Sequence, residues 1–214
     1  MPEASDAVQL HKIERLTLDH YEQAAESFRL ATFNHDVSQN IEAFLFALPQ
    51  GQQLDILDFG CGPGRDLATF KRLGHRATGL DGSKTFCHMA QAHSNCPTLH
   101  QQFLNLNLAA DSFDGIYANA SLFHIPSAEL CRVLKVLHRA LRPNGILFSS
   151  NPRGSSEGWN GSRYCHYMEL ENSQRFLEKS GFKIKKHYYR PAGQPREQQP
   201  WLAIVSQRLS SQQD

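Results

Sequence analysis

Residues 54–64 read L-D-I-L-D-F-G-C-G-P-G, an apolar run that breaks into three alternating glycines. Leu54, Ile56, Leu57 and Phe59 predict a short buried strand. After it, Gly60, Gly62 and Gly64 let the backbone turn sharply and approach something bulky, whose space a side chain would take. Leu67, Phe70 and Leu73 then recur at helical spacing, so the glycines join a strand to a helix whose free N–H groups point toward the ligand. These are the parts of a site for a nucleoside-bearing ligand. A dinucleotide site wants G-x-G-x-x-G, which from Gly60 and Gly62 requires glycine at position 65, and that position holds Arg65. A second apolar segment, 77–80, ends in Asp81, seventeen residues beyond Gly64. There the next parallel strand would deliver an acid able to accept both hydroxyls of an unphosphorylated ribose.

Whether these residues meet depends on the elements around them. Strand patterns recur at 54–59, 77–80, 98–104, 115–118 and 146–150. Between them lie the helix after Arg65, a helix from near Ser83 with Phe86, Met89, Ala90 and His93 on one face, and a helix over 128–141. In the last, Leu130, Val133, Leu134, Leu137 and Leu141 form an apolar stripe. Alternating strands and helices predict a parallel sheet covered on both faces. Upstream, Tyr21, Ala24, Ala25 and Phe28 predict a helix over 18–30. Val37, Ile41, Phe44, Leu45 and Leu48 predict a second, with Ser38 in its first turn and Pro49-Gln50-Gly51 as its stop. The first dozen residues and 209–214 are polar and read as frayed ends. The polar, glycine-containing stretch 151–164 reads as a long loop, of a length that in compact domains is often functional or disordered. A helix over 169–179 follows, then strands over 182–189 and 201–205 joined by R-P-A-G-Q-P-R-E-Q-Q-P.

The chain has 214 residues and 40% hydrophobic content, enough for one sizeable core. No apolar run reaches eighteen residues, and the N-terminus lacks the basic-then-apolar order of a secretory signal, so a soluble, cytoplasmic protein without a membrane partner is expected. Cys61, Cys87, Cys96, Cys131 and Cys165 form no C-x-x-C pair, and their odd number argues for reduced thiols. His88 and His93, between Cys87 and Cys96, share a helix face poorly, so no metal is expected. A net charge of +1 is too small for a protein that tracks a nucleic acid backbone. Residues 151–208 nevertheless hold ten Lys and Arg against five Asp and Glu. Lys183 and Lys185, alternating along a strand pattern, read as a solvated face, whereas Arg153, Arg163, Arg190 and Arg196, in loop patterns, suit an anionic substrate.

G-x-G-x-G after a strand, with an acid ending the next, resembles the class I S-adenosylmethionine-dependent methyltransferases. The likeness continues through Phe113-Asp114 opening a fourth strand, L-R-P-N-G at 141–145 before a fifth, and Ser180-Gly181-Phe182 before a sixth, and so covers 54–208. It implies an α/β fold: a Rossmann-like seven-stranded, mostly parallel sheet with helices on both faces, a final antiparallel strand and an N-terminal helical cap. The domain reading is 1–50 as that cap, within the same domain, 51–208 as the methyltransferase domain and 209–214 as a polar tail. The implied cofactor is S-adenosylmethionine. On matching positions, Asp58 with Gly60, Cys61, Gly62 and Gly64 would cradle its methionine and ribose part, and Asp81 would hold the ribose hydroxyls, with Gly82 and Ser83 lining the adenosine side. Where the family carries an acid near the adenine amine, this chain has Gln102, whose carbonyl can accept from it. Phe103 and Leu104 would flank the base, and Asn119 and Ala120 would face the methionine part. Tyr21 would close over the cofactor or pack as core, and Asp58 and Asp81 have the plainer alternative of capping turns.

Methyl transfer from a sulfonium is an in-line displacement, for which a protein mainly supplies position and exclusion of water. His124, in S-L-F-H-I-P, is the best-placed general base, or else a packed histidine that stabilises its loop. Tyr164 is a second catalytic candidate, and His35, in F-N-H-D, reaches the site from the cap or lies on the surface. Arg153, Trp159, Arg163, Tyr167, Arg190 and Arg196 are the substrate candidates: arginine forks bind carboxylate or phosphate, and aromatics wall off water. The expectation is methyl transfer to a small anionic acceptor, with no nucleic acid partner. A cofactor-binding regulator without turnover stays open, because fold does not specify activity. An NAD-dependent oxidoreductase also stays open, disfavoured by Arg65. The N-P-P-Y signature of methylation on base amino groups is absent, the chain reading N-A-S-L at 119–122.

Overall fold

The computed structural model describes residues 4–209. One sheet of seven strands runs in the order β3-β2-β1-β4-β5-β9-β8. Its members are β1 (Asp55–Phe59), β2 (Arg76–Asp81), β3 (Thr98–His100), β4 (Phe113–Asn119), β5 (Leu141–Pro152), β8 (Phe182–Arg190) and β9 (Trp201–Arg208). The pairs from β3 through β5 are parallel, and β9 runs antiparallel to both β5 and β8. This is the expected Rossmann-like sheet with its antiparallel strand.

The buried residues alternate along each strand with the period of two that a pleated strand imposes. Leu57, Ile116 and Leu147 face one side, where α6 (Ser127–Ala140) and α7 (Leu170–Lys179) bring Leu130, Leu134 and Leu177. Ile56, Tyr117 and Phe148 face the other, against α3 (Ser38–Phe46), α4 (Arg65–Arg72) and α5 (Lys84–Ser94). On that second face Phe44 of α3 is fully buried, with ring centroids 5.4 Å from Tyr117 and 5.7 Å from Phe70. Glycine at 115 makes the contact possible, since a Cβ there would come within 2.5 Å of the Phe44 ring.

Four expectations change. The N-terminal residues from Ala4 are not frayed but belong to α1 (Ala4–Gln23), and a break at Ala24 separates it from α2 (Ala25–Thr32), so the helix expected over 18–30 is two. The strand expected over 98–104 stops at His100, because β2, its only neighbour, ends at Asp81; Gln101 N–H to the Asp81 carbonyl is the last ladder bond, and the chain then turns so that Phe103 stacks on Phe59 at 4.3 Å. The long loop at 151–164 instead carries a hairpin, β6 (Glu157–Asn160) and β7 (Arg163–His166). Asn160 pairs with Arg163 across the turn Gly161-Ser162, with Gly161 at φ +60°. Of the expected tail at 209–214, residues 210–214 lie outside the described residues.

Truncating the ring at the centre of the α3 contact leaves a cavity that the surrounding aromatics cannot close. Phe44→Ala should cost about 3–5 kcal/mol of folding stability, measured by urea denaturation.

Candidate functional site

The C-terminal ends of β1, β2 and β4 open into a cavity of about 720 Å³, roofed by α1 and α2 and bounded by the 32–37 connection, β7 and the start of β9. In an open parallel sheet this is where the strand order reverses and a crevice forms. The glycine loop enters it after β1. Asp81, at the tip of β2, holds that loop: its Oδ2 accepts the Gly62 N–H at 2.9 Å and its Oδ1 the Ser83 N–H at 2.9 Å. Ser83 caps α5 by accepting the Phe86 N–H at 3.0 Å, and its hydroxyl donates to Glu22 of α1. Burial pushes the Asp81 carboxyl up to about 6, against the opposing pull of those two N–H bonds.

The three glycines do different work. A Cβ on Gly62 would meet only Phe28, at 3.9 Å, so this position opens to the cavity. Gly60 also lines the cavity, but a Cβ there would strike Ser121 at 2.5 Å. Gly64 is not part of the lining: its Cβ would lie 2.6 Å from Ala90, so its smallness, at φ +89°, lets α4 approach α5. Asp58 and Cys61 line the cavity between them. Asp58 Oδ2 is buried and has no hydrogen-bond partner. Burial and the nearby Asp66 charge push its carboxyl well above the ordinary range.

Asn119 ends β4 in a network. Its Nδ2 donates to Asp66 at 3.3 Å, and its Oδ1 accepts from Asn40 of α3, whose own oxygen accepts from Tyr188 at 2.9 Å. Arg65 completes it, pairing with Asp66 at 2.7 Å and donating to the Thr32 carbonyl at 2.8 Å. The residue that excludes the dinucleotide spacing thus ties the cap to the glycine turn. Ala120 follows at φ +60°, a left-handed conformation costly for a residue with a side chain and concentrated at functional sites.

On the opposite wall His124 is held, half-buried, between two partners. Its Nδ1 lies 2.7 Å from the Tyr164 carbonyl, which can only accept, so Nδ1 carries the proton and Nε2 accepts from the Tyr21 hydroxyl at 2.7 Å. Arg163 donates to the same hydroxyl at 3.3 Å. Burial pushes His124 down to about 4, which keeps it neutral near neutral pH with its Nε2 lone pair turned to Tyr21, and burial raises the Tyr21 phenol.

Of the other residues singled out in the sequence, Gly82, Phe103, Leu104, Tyr167, Arg190 and His35 line the cavity. Ser83 supports it from behind. Gln102 does not belong to the lining: it is exposed in the turn after β3. The Tyr164 side chain is elsewhere, with its hydroxyl on Glu157 at 3.1 Å, and the residue serves His124 through its carbonyl alone. Trp159 is 43% exposed on the hairpin. Arg153 spends its guanidinium on Glu169 and on the carbonyls of Arg196 and Gln199, and Arg196 stacks on Tyr189, so these two lock the connection between β8 and β9. Glu14, Thr17 and Leu18 of α1 enter the lining unannounced by the sequence reading. Their spacing with Tyr21 is helical, and that stripe was the available signal. Among the described residues no cluster of His, Cys, Asp or Glu could hold a metal ion.

Comparison with known proteins agrees with this geometry. Residues 56–145 match the model of a methyltransferase domain. The chain is 31% identical over 172 residues to a malonyl-[acyl-carrier protein] O-methyltransferase of Buchnera aphidicola, covering 75% of this chain and 66% of that protein. It is 32% identical over 102 residues to a trans-aconitate 2-methyltransferase of Deinococcus radiodurans, covering 47% of this chain and 38% of that protein. It therefore spans less than two thirds of the length of these curated relatives. The structure of a 1,6-didemethyltoxoflavin-N1-methyltransferase of Burkholderia thailandensis, with bound S-adenosylhomocysteine, superposes with a TM-score of 0.76 at 20% identity, over 94% of this chain and 91% of that one. With the glycine loop anchored by Asp81 at the strand-order reversal, residues 56–145 are a methyltransferase domain of the S-adenosylmethionine-dependent kind.

Proposed function

We propose that the protein transfers a methyl group from S-adenosylmethionine to a small anionic acceptor. The cofactor suits the cavity on this chain's own features. The unpartnered, buried Asp58 Oδ2 calls for a donor or cation, which an α-ammonium supplies. Gly62 leaves open the space a side chain would fill. The Asp81 oxygens, each with one N–H bond, retain lone pairs for hydroxyls. Gly60, Cys61 and Gly82 complete the floor, Phe103 and Leu104 flank the base, and Asn119 and Ala120 adjoin the methionine end. The bound cofactor supplies an electrophilic methyl on a positively charged sulfur that leaves readily.

The observation that carries the acceptor class is a pair of arginines. Arg163 and Arg190 both line the cavity, and among the described residues neither forms a salt bridge, whereas Arg65, the third arginine there, is committed to Asp66. Arg163 donates to the Tyr21 hydroxyl and lies over the same ring, and Arg190 donates to the Asp36 carbonyl at 3.0 Å, so both guanidinium forks keep donors for a carboxylate or phosphate. Tyr167 adds an aromatic wall. Two relatives named for malonyl and trans-aconitate acceptors support an anionic class for this chain. Where the acceptor atom carries a proton, Tyr21 Oη takes it as Tyr21's own proton moves to His124 Nε2, and the Tyr164 carbonyl stabilises the imidazolium that results.

S-Adenosylhomocysteine should raise the melting temperature of the protein and NAD should not; no shift with the former sinks the reading. Labelled cofactor incubated with a metabolite extract should deposit its methyl in a small molecule retained on anion exchange before methylation. Binding without label transfer would instead make the chain a cofactor-binding regulator. With the acceptor in hand, Tyr21→Phe should lower kcat about a hundredfold in steady-state kinetics if a proton is removed during transfer. Asp81 must be ionised to serve the hydroxyls and its carboxyl titrates at about 6, so S-adenosylhomocysteine affinity should hold above pH 7 and weaken as pH falls through 6. Below that point the loss approaches about tenfold per pH unit by calorimetry, and Asp81→Asn should flatten the profile.

A further inference from the structure

Glu14 brings a carboxylate from α1 into the part of the cavity that Phe103 and Leu104 line. Its Oε1 accepts the Leu104 N–H at 3.0 Å, and among the described residues nothing donates to its Oε2. The turn behind it is held in place: Phe103 stacks on Phe59, and Arg132 donates to the Leu104 carbonyl at 2.8 Å. With the Leu104 N–H spent on Oε1, this wall presents the remaining carboxylate oxygen as an acceptor, in a partly desolvated setting where a missing partner is costly. Such an acceptor complements a heteroaromatic edge that carries an exocyclic amine. Adenine carries that amine, and hypoxanthine has a carbonyl in its place. The exposed Gln102 lies outside this lining.

We infer that Glu14, held in place by the Leu104 N–H, reads the adenine amine of the cofactor, so that the N-terminal helix rather than the third strand sets base specificity. The inference rests on the cofactor assignment above. It makes α1 part of the binding machinery: the carboxylate that fastens the helix to Leu104 is the one that accepts the amine.

The test compares S-adenosylhomocysteine with S-inosylhomocysteine by calorimetry on the full chain. The wild-type protein should prefer the adenosyl compound by about tenfold or more, the worth of a hydrogen bond to a charged group. Glu14→Gln keeps an oxygen for the Leu104 N–H and adds an amide donor that suits the hypoxanthine carbonyl, so it should weaken the adenosyl compound and close most of the gap. Glu14→Ala should weaken the adenosyl compound without gain for the inosyl one, with melting temperatures reporting that both variants fold. Discrimination unchanged in Glu14→Gln, or both ligands weakened equally, would reduce Glu14 to a fastening of α1 and overturn the inference while leaving the cofactor assignment intact. A wild-type protein that binds neither compound overturns the cofactor assignment and this inference with it.

Discussion

The buried carboxylate of Asp81 is the constraint on which the site depends. Two backbone N–H groups, from Gly62 and Ser83, converge on it, so one side chain joins the end of β2 to the glycine turn after β1 and to the start of α5. Ionising a group this deep is costly, which is why its carboxyl titrates so high, and the N–H bonds only partly offset that cost. A donor-rich ligand brings the missing stabilisation. The geometry of the turn and the high cost of ionising this carboxyl thus have the same cause.

The roof over this site is built on a different principle. Among the α1 residues whose side chains are described, only Ile13 is a buried hydrophobic, so packing alone holds the helix weakly. What holds it is a series of polar contacts to groups at the cavity edge: Glu14 to Leu104, Thr17 to Tyr164, Tyr21 to His124 and Glu22 to Ser83. Hydrogen bonds of this kind contribute roughly 1 kcal/mol each and exchange readily with water or ligand. A cap fastened this way couples its position to the contents of the cavity, whereas α3, anchored by Phe44 in the aromatic core, belongs to the scaffold.

The sheet was legible because its strands carry an apolar code on both faces and its helices a regular stripe, signals that local sequence expresses directly. The family resemblance was legible in residues with several jobs at once. Arg142 of L-R-P-N-G pairs with both Asp55 and Asp114, so motifs read as markers of strand order also bind the base of three adjacent strands together. The hairpin at 157–166 was missed because its strands are short and polar and its turn, Gly161-Ser162, lies inside a stretch already rich in glycine and serine. Gln102 was misplaced for a related reason: counting along a strand assumes that the strand continues, and β3 ends when β2 no longer offers a partner.

Side-chain roles were hardest to read where they depend on contacts between distant segments. Nothing local to Arg153, Arg163, Arg190 or Arg196 distinguishes an arginine that locks a loop from one that waits for a ligand. The difference is whether Glu169 and nearby backbone carbonyls have already claimed the guanidinium, as they have for Arg153, and that is decided by how the β8–β9 connection folds back on α7. The same holds for Tyr21 and His124, more than a hundred residues apart in the chain and 2.7 Å apart in space. Each was visible as a candidate, but their hydrogen bond arises only because α1 crosses the end of the sheet. The cap and the hairpin thus meet above a floor laid by the glycine turn, and that floor by itself says little about where a methyl group goes.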